Sequence, residues 1–236
     1  MTNRNVLVTA GSTCTPIDRV RSITNIFRGR TGTMIAEYFC QQGCQVTLLC
    51  SHPELIDVFP RDAIRAVKYT TYAELETAMR ELITSGQFGT VIHSSAVSDY
   101  QPAGMYVRVS EKAGDEKRQT MIVESLDRSG KIASNHHELW MRLTLTDKLV
   151  DKIRPKWGFS GTLVKFKLQV GMSDAELIQI ASGSLVKSQA NIIVDNTLEG
   201  LKKKAFIIAD RNGVPTVVAE IDREALPAAL YGAVMQ

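Results

Sequence analysis

Small and cationic residues gather at four places in this chain where they could hold or activate an anion. Gly11-Ser12-Thr13 ends a short apolar run, and small residues at such a turn let backbone N–H groups approach a phosphate. The following loop packs Asp18, Arg19, Arg21, Asn25, Arg28 and Arg30 around Gly29 and Gly32, and guanidinium forks fit phosphate or carboxylate oxygens. Ala96-Val97-Ser98-Asp99 closes another apolar run. Farther on, Lys165 and Lys167 alternate within Val164-Lys165-Phe166-Lys167-Leu168, which puts both on one strand face, and Asn196 stands where the next strand should end. Each motif has a plainer reading. The lysines also fit an edge strand with amines reaching solvent, Asn196 a turn, and the two glycines close packing of the next helix.

The same residues exclude other chemistries. No GxxxxGK[ST] occurs near the first turn and no GxGxxG joins the first strand to its helix. The second strand runs into Cys50-Ser51-His52, without the acid a dinucleotide reader uses there. Cys14, Cys40, Cys44 and Cys50 form no CxxC pair, and His93 and His136-His137 lack metal-ligand spacing; free thiols and satisfied or solvated histidines are expected. No Ser-His-Asp or Cys-His set stands out. What remains is a set of cations and small-residue turns, suited to stabilising phosphoryl charge without a covalent enzyme nucleophile.

Those residues need a scaffold, and the hydrophobic pattern supplies one. The sequence predicts a strand at 6–10, a helix at 31–42 stopped by Gly43, and a strand at 45–50. A helix at 72–84 and a third buried strand at 90–95 follow. The pattern weakens over about 101–146, where a pair of strands or a mobile flap is expected. It returns as a helix at 147–153, a strand at 162–168, a helix at 174–187 opened by a Ser173/Glu176 capping box, and a strand at 190–194. Asn212-Gly213 marks a hairpin before a closing helix at 223–234. The expectation is an α/β fold with a Rossmann-like, mostly parallel sheet, helices on both faces, a small antiparallel extension and a flap. Residues 1–236 are read as one domain.

With 236 residues, 44% hydrophobic and 22% charged, the chain can bury a sizeable core. Its formal charge of +3, from 28 Lys and Arg against 25 Asp and Glu, is too slight for a nucleic-acid footprint but suits anionic substrates. No run of ~18 apolar residues predicts a membrane span, and no apolar leader precedes the first strand, so a cytoplasmic protein is expected.

The segment AGSTCTPIDRVRSITNIFRGRTG resembles the opening signature of the phosphopantothenoylcysteine synthetase (phosphopantothenate–cysteine ligase) family, through Gly11, Thr13, Pro16, Asp18, Val20, Arg21, Ile23, Asn25, Gly29 and Gly32. Ala96 to Pro102 is similar to the family's AV(A/S)DY-P motif, and Gly130-Lys131-Ile132-Ala133-Ser134 and Thr146-Asp147-Lys148-Leu149 to two shorter segments. Val164 to Leu168 and, after one helix, Ala190 to Asn196 resemble the FKLE-like strand and the (A/V)AN strand end of the stand-alone and eukaryotic branches. Two-domain relatives place a lysine in the intervening helix at the position of Ser184, and Lys167 is read as the compensating cation. Phe27 and Arg28 depart from the family's small hydroxyl residues.

The resemblance implies a stand-alone ligase, without a flavoprotein decarboxylase segment, that joins 4′-phosphopantothenate to L-cysteine through an acyl-nucleotide. It uses CTP or ATP with Mg2+ and releases pyrophosphate. Lys167 and Asn25 are the implied catalytic residues. Gly11, Ser12, Thr13, Ala96, Asp99, Phe166 and Asn196 would bind the nucleotide, and Arg21, Arg28, Gly29, Arg30 and Lys131 the substrate. No protein metal ligand and no nucleic-acid or membrane partner are expected, and a homodimer is implied. The residues alone leave open a nicotinamide-dependent reductase and a non-catalytic nucleotide- or phosphate-binding protein.

Overall fold

The computed structural model describes residues 3–57, 63–112, 120–201 and 203–235. The charged stretch 113–119 inside the expected flap lies outside the described residues.

Strand β1 (Asn5–Ala10) is buried along almost its whole length, as its continuous apolar run demands of a strand covered on both faces. A short antiparallel pair, β2 (Cys14–Pro16) and β3 (Ser22–Thr24), leads to helix α1 (Arg30–Gln41). Ile35, Ala36 and Phe39 form the buried stripe of α1. The helix stops at Gly43, whose φ of 80° lets its N–H reach the Cys40 carbonyl while the Cys44 N–H reaches that of Phe39. Then come β4 (Gln45–Cys50), β5 (Ile64–Lys68), α2 (Tyr72–Thr84) and β6 (Thr90–His93). Thr71 and Glu74 close a capping box at the start of α2.

Strands β7 (Tyr100–Lys112), β8 (Thr120–Ser125) and β9 (Trp140–Leu145) make a separate antiparallel sheet in the order β8-β7-β9. The chain returns through α3 (Val150–Ile153), β10 (Thr162–Gln169), α4 (Asp174–Ser188) and β11 (Ile192–Thr197). It ends with β12 (Ala205–Arg211), β13 (Val214–Ile221) and α5 (Leu226–Met235).

The main sheet has eight strands in the order β13-β12-β11-β10-β6-β1-β4-β5. It is parallel from β5 to β11, and β12 and β13 add antiparallel. One face packs Val6, Val8, Val46, Leu48, Ile92 and Val164 under α1 and α5, where Phe39 meets Tyr231 edge-on at 5.1 Å. The other packs Leu7, Leu49, Val91 and Leu163 against α2 and α3, and Ile193, Phe206 and Ile208 against α4. The order reverses between β1 and β6, so the carboxyl ends of these two strands open a crevice of the kind in which open α/β sheets bind ligands.

The mostly parallel sheet, the capping box at Ser173 and the Asn212-Gly213 hairpin with positive φ at both residues follow the sequence reading. Several boundaries differ. The third strand stops at His93, because Ser94, Ser95 and Ala96 turn to bond the end of β1 through Thr9 and Gly11. The expected helix at 147–153 is the single turn α3, and the closing helix starts three residues later, after Asp222 accepts from the Ala225 N–H. The strand expected at 190–194 runs from Ile192 to Thr197. Edge strand β5 was not expected, and the flap contains three strands.

Candidate functional site at the sheet switch point

The crevice begins where β1 gives way to Gly11. A Cβ at Gly29, the residue capping α1, would overlap the Gly11 backbone nitrogen, and Gly29 itself has φ 93°. Both facts require glycine there: the left-handed backbone is costly for any other residue, and backbone fills the space a side chain would take. Gly32 meets Ser94 Oγ and the Ala10 side chain with the same closeness, so the first turn of α1 is seated directly on the ends of β1 and β6. No side chain caps α1, and residues Arg28 to Gly32 line the cleft, leaving the positive end of the helix available to an anion.

Opposite lies the turn after β6. Asn25 donates through Nδ2 to the Ala96 carbonyl at 3.0 Å, which fixes the loop's amide at the cleft wall. Beneath this contact the Tyr69 hydroxyl is buried, bonding the Ala10 and Gly11 carbonyls and Ser95 Oγ at 2.9–3.0 Å. Burial pushes its ionisation well above the ordinary phenol range, so it stays a neutral brace. Asp99 stands at the rim, ion-paired at 2.9 Å with Lys148; both side chains are more than half exposed, and the pair adds little stability.

The floor is β10. Lys165 is 7% exposed; its ammonium donates to Ser184 Oγ at 3.0 Å and to the Ser184 carbonyl at 3.3 Å. Burial lowers its pKa to about 8, against the pull of Asp151. His93, bonded through Nδ1 to Thr9 Oγ1 at 2.9 Å, is kept neutral by burial and by Lys165, which bring its pKa to about 4. Lys167, Phe166 and Asn196 line the cleft farther toward the strand ends. Beside Lys167 in the register, Asp195 is fully buried, and among the described residues neither carboxylate oxygen has a hydrogen-bond partner. Burial raises its pKa to about 7, more than the adjacent Asn196 N–H and Lys167 can offset.

The resulting cleft of about 950 Å³ brings together Gly11, Asn25, Arg28, Gly29, Arg30, Ala96, Asp99, Phe166, Lys167 and Asn196. Lys204 and Arg223 add to its cations; Asp147 and Asp151 add acids. It thus has the charge balance and room for a phosphorylated ligand.

Four expected residues stand outside the cleft wall. Ser12 is buried on Thr24 Oγ1, and Thr13 Oγ1 accepts from the Ser98 N–H. Arg21 is held by Asp18, whose carboxylate also accepts from the backbone N–H groups of Val20, Arg21 and Ile132. These bonds, led by Val20, draw the Asp18 pKa down to about 2 against burial. Arg21 also donates to the Ile132 carbonyl, so it ties the first loop to the flap, where Lys131 is exposed. Sequence reasoning passes over Tyr69, Lys204 and Arg223; nothing in their local pattern marks them, since topology alone brings them to this edge. All four cysteines are free, and among the described residues no group of three His, Cys, Asp or Glu could hold a metal ion.

The sequence profile of the DNA/pantothenate metabolism flavoprotein C-terminal domain matches residues 1–127. The chain belongs to this domain family. The coenzyme A biosynthesis bifunctional protein CoaBC of Thermococcus kodakarensis is 28% identical over 211 residues, covering 89% of this chain and 45% of the relative. That of Methanocaldococcus jannaschii is 28% identical over 193 residues, covering 82% and 40%. The chain therefore spans about half the length of these curated relatives or less. In structure it is similar to the DNA/pantothenate metabolism flavoprotein from Streptococcus pneumoniae, at 25% identity with a TM-score of 0.77 and 98% of each chain covered. A variant of Cab2 in complex with phosphopantothenate-cysteine shares the fold at 16% identity, with a TM-score of 0.68, covering 98% of this chain and 87% of that one.

Proposed function

We propose that this protein is a phosphopantothenate–cysteine ligase of coenzyme A biosynthesis, working in the cytoplasm. The observation that carries the reading is the convergence of the uncapped start of α1, Asn25 on the Ala96 carbonyl, Lys167 and Asn196 on one cation-lined cleft. The CoaBC relatives and the Cab2 complex support the choice of substrate.

An ionised carboxylate repels nucleophiles and has no good leaving group. In the proposed first step, a carboxylate oxygen of 4′-phosphopantothenate attacks the α-phosphorus of CTP or ATP, and pyrophosphate departs with the displaced electron pair. Lys167 offers positive charge to the phosphoryl oxygens, while the first N–H groups of α1 and Arg30 offer donors to the remaining anion. In the second step the cysteine amine attacks the acyl carbon, the nucleoside monophosphate leaves and the amine loses a proton. Asn25, its amide fixed on the Ala96 carbonyl, positions the acyl-nucleotide for that attack. Magnesium would come with the nucleotide phosphates, which are its customary ligands; Asp99, Asp147 and Asp151 are the carboxylates bordering the cleft. Phe27 and Arg28 line the cleft mouth and would shape substrate choice, with Arg28 turned to Glu54 at 3.1 Å.

The assembly proposed is a homodimer. Tyr100, Leu143 and Leu145 are 44–71% exposed on one face of the flap sheet, an apolar set that a second copy would cover. Light scattering coupled to size exclusion tests this: a monomer at all concentrations would remove the dimer.

The test of activity is pyrophosphate release with magnesium, 4′-phosphopantothenate and either CTP or ATP, with and without cysteine, alongside Lys167→Ala. Amide product that requires cysteine and falls by two or more orders of magnitude in the variant supports the reading. Tight nucleotide binding without pyrophosphate release would favour a binding protein instead.

A further inference from the structure

Lys165 faces the same cleft as Lys167 but in a different state. It is more than nine-tenths buried, and among the described residues its only hydrogen-bond acceptors are the two Ser184 oxygens. An ammonium has three donors, so one N–H is left over at the base of a cavity. No carboxylate among the described residues forms an ion pair with it. Charged groups on the elements around it include Asp151 on α3, Lys148 before it, Lys187 on α4, Lys167 on its own strand and Asp195 beside Lys167 on β11, and on β6 the neighbouring His93 is neutral. A buried cation with no ion-paired carboxylate is costly to retain unless a ligand brings the missing negative charge.

We propose that Lys165 is a second anion-binding residue of the cleft, its ammonium held by Ser184 so that the remaining N–H receives a phosphoryl or carboxylate oxygen of the bound ligand. This rests on the reading of the cleft as a site for phosphorylated substrates. Lys165 and Lys167, two residues apart on one strand face, would then contact two oxygens of the ligand from the same side. Ser184 fixes the amine of Lys165 from α4, so Ser184→Ala should weaken binding while leaving the charge in place.

Calorimetric titration with inorganic pyrophosphate, CTP and 4′-phosphopantothenate, each alone, tests this on the wild type and on Lys165→Met, Lys165→Arg and Ser184→Ala. Loss of one charge-assisted hydrogen bond predicts binding weaker by about 10- to 100-fold in Lys165→Met for at least one ligand. Weakening with pyrophosphate and CTP assigns the oxygen to the nucleotide phosphates; weakening with 4′-phosphopantothenate alone assigns it to the acid. Wild-type affinity should also fall between about pH 7 and 9 as the amine loses its proton, and Lys165→Arg, which stays charged, should lack this fall. If Lys165→Met fails to fold, Ser184→Ala carries the test. Equal affinities and parallel pH profiles in all variants overturn the proposal, as does a wild type that binds none of the three. Binding that depends on Lys165 in a protein without cysteine-dependent turnover would keep this inference and remove the ligase reading.

Discussion

Asp195→Asn is expected to stabilise this protein at alkaline pH and to do so less as the pH falls. Asp195 is wholly enclosed on the α4 face of the sheet, with both oxygens lacking hydrogen-bond partners among the described residues. Its pKa rises from 3.8 to about 7 on folding. An acid whose pKa is raised holds its proton longer in the folded chain; its contribution is intact below about pH 4 and is lost as the pH climbs to about 7. Each pKa unit is worth about 1.4 kcal/mol, so the carboxylate costs the fold about 2 kcal/mol at pH 5 and about 4 kcal/mol at pH 8. The asparagine amide also lacks partners, but its cost does not change with pH and cancels in the comparison. The stability gap between variant and wild type should therefore widen by about 2–3 kcal/mol from pH 5 to 8, or about 4–12 °C in Tm for a chain of this size. Urea denaturation of both proteins at the two pH values measures it. A gap that stays constant, or one that narrows as pH rises, would refute the claim that burial governs this carboxyl.

Asp18 carries the opposite sign. Its pKa is depressed to about 2, so its stabilisation is present above about pH 4 and lost as the pH falls through 2; Asp18→Asn should flatten that acid limb in a pH-dependent melt. Phe39→Ala removes a fully buried ring from between the sheet and Tyr231, and should cost about 3–5 kcal/mol in urea unfolding. Gly29→Ala should destabilise by at least about 2 kcal/mol and weaken pyrophosphate binding, because positive φ and the Gly11 backbone both oppose a Cβ; unchanged calorimetric affinity would mean that the start of α1 does not contact the ligand.

Much of this scaffold was legible because local and long-range demands agree. Strand β4 and helix α2 have the predicted bounds: one is a mostly apolar run between Gly43 and Ser51, and the other is opened by Thr71 and carries Leu75, Met79 and Ile83 at helical spacing. Strand β5 was not legible, since an edge strand with charged Arg65 and Lys68 shows neither a continuous apolar run nor clean alternation. In β9 nearly every side chain is exposed, so burial wrote no pattern into its sequence. The site divides in the same way. Asn25 and Lys167 both line the cleft, whereas Arg21 is held outside it by the Ile132 carbonyl, 111 residues away, which local spacing cannot reveal. Alternation correctly put Lys165 and Lys167 on one face; which of them is buried depends on where α4 crosses, and Ser184 lies over Lys165.

The contact between Gly11 and Gly29 also bears on how such a protein can diverge. Residues 12–28 leave the sheet and come back to nearly the same point, so the excursion is a loop tied shut at its neck by backbone. Closure entropy grows only slowly with loop length, and a closed neck shields the sheet from what happens beyond it. Insertions or exchanges near Phe27 and Arg28 can therefore alter the mouth of the cleft while β1, α1 and the lysine-bearing floor keep their places. The excursion works as an exchangeable module, through which selection can retune ligand choice without reopening the problem of folding.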